Sequence, residues 1–197
     1  MIRHKAMSAI QEEHRSLGAV IHGLQYLLRQ ARDRGTAPDL ALLGSMLGYI
    51  RDYPEKLHHP AEDRFLFPRI QLRTREADAA IGELEREHAQ GEARLERLAA
   101  ALRRLEDGAP GALEALDEAV RDYAEFHWAH MRKEEEVLLP IAERVLSEED
   151  WGAIHQAFLA NQDPRFGGDT ADSFRRLFSR IVALAPPPIG VGPPRSG

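Results

Sequence analysis

Cysteine is absent from the 197 residues, which excludes disulfides, thiolate metal sites, iron–sulfur clusters and a cysteine nucleophile. Aromatic residues are scarce, at 7%. No apolar run approaches the roughly 18 residues that would suggest a membrane span. Basic charge is not in excess either: 26 Lys and Arg face 32 Asp and Glu, a net charge of −6. That balance gives no support for nucleic-acid binding, which needs clustered Lys and Arg to neutralise phosphates. The start, Met1-Ile2-Arg3-His4-Lys5, has no apolar stretch behind it, so export is not expected and a cytoplasmic location is. No catalytic nucleophile, phosphate loop or Ser-His-Asp order stands out, which leaves hydrolase and nucleotide-binding functions without support.

What is present is the palette of long amphipathic helices: 43% apolar and 29% charged residues, with Ala, Leu, Arg and Glu prominent. Ile10, Leu17, Ile21, Leu24 and Leu28 step along one helical face over roughly residues 4–33. After a break at Gly35-Thr36-Ala37-Pro38-Asp39, a second pattern runs from Leu40 to Ile70. It carries Pro54, Pro60 and Pro68, each expected to bend or interrupt the helix. A third runs from Ile81 to Leu105 and ends at Gly108-Ala109-Pro110-Gly111; a fourth runs from Leu113 to Val145. Four such segments predict an all-α fold, an antiparallel up-down-up-down four-helix bundle over 1–146. Ser147-Glu148-Glu149-Asp150 resembles a capping box opening the first of two short C-terminal helices, over 151–160 and 171–184, in an extension spanning 147–184. A Pro/Gly-rich tail over 185–197 completes the chain.

The apolar stripes are interrupted by residues that do not belong in a core. His14 replaces an apolar residue between Ile10 and Leu17, and His88 does so between Leu84 and Gly91. His127, His130 and Glu134 fill three successive stripe positions on the fourth segment. A buried carboxylate is costly unless it is paired or bound to a metal. His58 and Glu62 are four apart, like His130 and Glu134, so each pair shares one helical face. The spacing alone is weak, since His88 and Glu92 share it. Its context is stronger: residues 58–68 align without a gap on residues 130–140, and Glu13-His14 is repeated as Glu87-His88. Two copies of a helical hairpin would therefore bring four His and two Glu together at mid-bundle, a donor set suited to a pair of iron, manganese or zinc ions.

The order H…HxxxE…H…HxxxE resembles the hemerythrin-like (HHE cation-binding) family, in its bacterial type, over roughly residues 4–145. Residues 53–63 and 126–135 carry the closest likeness. The resemblance implies a four-helix bundle around a non-haem di-iron centre with His14, His58, Glu62, His88, His130 and Glu134 as ligands, the two Glu placed to bridge. Oxygen-carrying members have five His, with a His-x-x-x-His pair on the third helix; here Leu84 and Glu92 flank His88. A further ligand would then be His127, or His59, which directly follows the first HxxxE histidine as a ligand does in some relatives, or more remotely His22.

Each of these residues also has a plainer role. Single core histidines are more often satisfied by hydrogen bonds than by metals, His127 could orient a ligand, and Tyr123 could be a packed core residue or a donor to a bound oxygen species. Gly91 either lets helices approach or leaves space beside the metals. The charged runs 73–76 and 132–136 read as solvated faces, apart from Glu134. Two divalent irons and two Glu leave a charge of +2, which favours a bridging oxo or hydroxo group; zinc or manganese could take the place of iron in a purified sample. Six protein ligands leave open positions for a diatomic or peroxide ligand. Binding or sensing of O₂, NO or a related oxidant is the favoured function. A di-iron redox enzyme (peroxide or NO reduction, iron–sulfur repair) or a purely structural metal site are the alternatives. The C-terminal helices offer a surface for a homodimer or a protein partner.

Overall fold

A computed structural model describes residues 2–160 together with Ser179, Val182 and Ala183. Apart from those three residues, the helix expected over 171–184 lies outside the described residues, as does the tail over 185–197. Among the described residues the chain forms five helical spans and no strand. We label them α1 (Ile2–Arg34), α2 (40–73), α3 (78–106), α4 (112–145) and α5 (Glu148–Ala160).

The breaks fall where the sequence places its turn formers. Gly35 closes α1 in the left-handed region at φ +63°, which only glycine adopts without cost. Asp39 then caps α2, its side chain accepting from Leu42 N at 3.0 Å. The capping box at α5 is real: Ser147 Oγ accepts from Asp150 N at 3.2 Å while Asp150 Oδ2 accepts from Ser147 N at 2.9 Å. Arg73, at the end of α2, donates to the same Asp150 oxygen at 2.9 Å and ties the two helices together.

The prolines of α2 do not end it. The helix passes through two wide π-turns, Pro54–His58 and Glu62–Leu66, and α4 passes through a third, Glu134–Leu138. Pro68 follows the second and Pro140 the third, six residues after Glu62 and Glu134 respectively. A proline has no N–H for the carbonyl four residues back and its ring collides with that group. The wider turn resolves this: Phe67 donates to Glu62 O and Leu139 to Glu134 O, five residues back. Such bulges gather at functional positions, and the second and third begin at the two HxxxE glutamates. The third span is not continuous, as its stepping suggested; it is broken between His88 and Gly91.

Two apolar clusters fill the bundle. One joins Leu17–Leu28 of α1, Leu42–Ile50 of α2, Leu95–Leu102 of α3 and Leu116–Ala124 of α4. The other joins Ala6 and Ile10, Leu66–Ile70, Ile81 and Leu84, and Leu138–Ala142 with α5. The C-terminal half of α1 thus packs with the N-terminal half of α2, which is the up-down-up-down order. His14, His58, His88 and His130 lie between the two clusters on their four helices, in one polar layer. The apolar face of α5, with Trp151, Ile154 and Phe158 fully buried, packs on this core.

Candidate metal centre

The polar layer is built from residues whose neighbours in sequence hold them in place. Each of the four histidines gives its Nδ1 to a carboxylate: His14 to Glu135 at 2.9 Å, His58 to Glu13 at 2.5 Å, His88 to Asp63 at 2.7 Å and His130 to Glu87 at 2.8 Å. The pattern follows the internal repeat. The Glu before each lone histidine holds the HxxxE histidine of its own half, and the acid after each HxxxE glutamate holds the lone histidine of the other half. A carboxylate behind an imidazole fixes its tautomer and aims the opposite nitrogen.

The opposite nitrogens meet. His14 Nε2 lies 3.1 Å from His58 Nε2, and His88 Nε2 lies 3.2 Å from His130 Nε2. With Nδ1–H given to a carboxylate, two Nε2 atoms so close call for a proton or a metal ion between them. Glu62 and Glu134, at 0% and 1% exposure, complete the layer, and their carboxylate oxygens face the histidine nitrogens. Their oxygens divide between the two histidine pairs. Glu62 reaches His58 through Oε1 at 3.4 Å and His88 through Oε2 at 3.5 Å; Glu134 reaches His14 through Oε2 at 3.0 Å and His130 through Oε1 at 3.1 Å. Two donor groups result, His14–His58–Glu62–Glu134 and Glu62–His88–His130–Glu134, each with its ligand atoms within 4.8 Å of one another. Two imidazole nitrogens and two carboxylate oxygens fit a first-row divalent ion.

The electrostatics match a cation site held by protons. Burial lowers the His130 pKa, but the charge of Glu134 and hydrogen bonds to Glu134 and Glu87 carry it up to about 10. Burial likewise opposes, and carboxylates outweigh it at, His14 and His58, which both sit above their ordinary value. Burial would raise Glu134, yet the charge of His130 holds it well below the usual carboxylate range.

The remaining candidates separate. A ring nitrogen of His59 lies within 4.8 Å of those of His88 and His130, and the His59 and His88 rings stack at 4.3 Å. His127 belongs to neither donor group. It is fully buried, neither ring nitrogen has a partner, and burial followed by the charge of His130 lowers its pKa to about 3. Tyr123 packs against its ring at 4.2 Å. His22 is exposed, its ring tilted against Trp128 at 4.8 Å, and it belongs to none of the donor groups. Glu92, despite its HxxxE spacing, is exposed. Sequence reasoning missed the four outer acids and took Glu135 for a solvated residue; their signal was their place beside the duplicated ligands.

The chain matches the model of the hemerythrin HHE cation-binding domain over residues 5–142. That span is more than half of its length, and the chain belongs to this family. Neither the curated proteins nor the solved structures gave a match. No helix among the described residues is long and apolar enough to cross a membrane.

Proposed function

We propose that this HHE domain holds two first-row metal ions, iron foremost, and uses them to bind or sense a small oxidant such as O₂, NO or peroxide. The observation that carries the reading is the division of Glu62 and Glu134, each with one oxygen toward either histidine pair. His14 and His58 would hold one ion and His88 and His130 the other, with His59 as an added donor on the second side. Metal ions at such a site supply Lewis acidity and, for iron, reversible redox chemistry.

The protein positions the donors through the outer carboxylates and flanks them with an apolar cluster on either side. Phe158 of α5 covers His58, ring to ring at 5.6 Å. A small molecule has two approaches: a cavity of about 730 Å³ between α2 and α3 that reaches Glu55 and His88, and one of about 370 Å³ beside His14, Trp128 and Met131. With four protein donors per group, an ion of five or six coordination keeps a position for it.

The test is the absorption spectrum of iron-loaded protein as O₂, NO or peroxide is added and removed. A charge-transfer band that changes and returns supports binding or sensing. Turnover of peroxide or NO would move the function to an enzyme, and native zinc with no response to any of them would leave a structural metal site.

A further inference from the structure

His59 also has a carboxylate near its Nδ1, but one that reaches it through a space only glycine leaves. Glu55 Oε2 lies 3.5 Å from His59 Nδ1, one turn earlier on the same helix. The Glu55 carboxylate lies against Gly91, at the start of the second half of α3. A Cβ at residue 91 would overlap Glu55 Oε2 and stand 2.7 Å from Cδ and 2.8 Å from Oε1. Gly91 is buried and at an ordinary helical φ, so its lack of a side chain serves this approach and not the backbone. The arrangement has no counterpart in the other half of the repeat. There, 72 residues on, Glu55 becomes His127 and His59 becomes Met131, removing both the acceptor and the imidazole.

We propose that Gly91 and Glu55 are a positioning pair: Glu55, seated on Gly91, accepts the His59 Nδ1–H and turns the opposite nitrogen toward the cation of the His88–His130 group. The two cation positions are thereby unequal, three imidazoles against two, and the His59 side fills first and holds its ion more tightly. This rests on the reading that the two donor groups hold two ions. A carboxylate that orients a ligating imidazole is commonly worth about 10–100-fold in metal affinity.

Gly91→Ala is a clean probe, because the atoms it would overlap end a flexible side chain. Glu55 swings away, and the alanine favours the helix. Calorimetric titration of the metal-free full chain with Zn²⁺ should show two equivalents of unequal affinity. Gly91→Ala and Glu55→Ala should each weaken the tighter equivalent by about 10–100-fold and leave the other unchanged. The double variant should be no worse than Glu55→Ala, and neither change should matter once His59 is replaced by Ala. Metal-free Gly91→Ala should melt no lower than wild type, which separates positioning from a general loss of stability. Unchanged affinities, an equal loss at both equivalents, additive effects in the double variant, or a lower melting point of the metal-free variant would each overturn the inference. A wild-type chain that takes fewer than two equivalents would instead sink the two-ion reading beneath it.

Discussion

Replacing Glu62 with Ala should cost both ions, whereas replacing His14 with Ala should cost one. Glu62 is fully buried and sends one oxygen toward each histidine pair, so its loss takes a shared donor from both groups at once. His14 belongs to one group only. An ion present at a hundred times its dissociation constant adds about 2.7 kcal/mol to the folded state, so two ions add about 5 kcal/mol. For a chain of this size about 1 kcal/mol moves the melting temperature by about 2–4 °C. Metal should therefore raise the melting temperature of wild type by about 10–20 °C, of His14→Ala by about half that, and of Glu62→Ala by little. The assay is a pair of thermal melts for each protein, with and without Zn²⁺, alongside metal analysis of the loaded samples. Equal metal-induced shifts in the two variants, or a full shift in Glu62→Ala, would refute the sharing of Glu62.

Glu13→Gln and Glu87→Gln should each weaken one equivalent of metal by about 10–100-fold, on the His58 and His130 sides respectively, as read by Zn²⁺ titration. Metal-free protein should be most stable to denaturant between about pH 4.5 and 6.5. The raised His130 pKa gives stability that is complete below its ordinary 6.5 and lost as pH rises through about 10. The depressed Glu134 gives stability that is complete above its ordinary 4.5 and lost as pH falls through its lower folded value. Metal uptake must displace the histidine protons, so affinity should climb with pH over the same alkaline range, measurable as proton release on adding Zn²⁺. Asp150→Ala removes the reciprocal cap of α5 and its tie to Arg73, and should lower stability by about 1 kcal/mol in a denaturant melt.

The helix order and the six central residues were legible because apolar stepping marks four helices and the misfits on those stripes recur in register. His14, His58, Glu62, His88, His130 and Glu134 interrupt the same helical faces that carry the core leucines and isoleucines. The π-turns were harder to read. Prolines predict a disturbance but not its form, and the shared spacing from Glu62 to Pro68 and from Glu134 to Pro140 becomes meaningful only once the wide turns are seen. The outer acids were hidden for another reason. Glu135 and Asp63 are partly exposed, so they look like any surface carboxylate, and their partners come from distant helices. His127 came forward as a candidate added donor by its place on the stripe. The stripe marks burial, and His127 is buried beside Tyr123; proximity to His88 and His130 depends on a neighbouring helix, which periodicity does not encode. Gly91 was readable as a missing side chain, but Glu55, the group that uses the space, lies on another helix.

X-ray absorption at the metal edge tests the shared site most directly. The loaded chain should show a metal–metal scattering path at about 3.5–4 Å with nitrogen and oxygen neighbours, and that path should vanish in Glu62→Ala. A spectrum from fully loaded wild type with light-atom shells alone would contradict a pair of cations joined by Glu62 and Glu134.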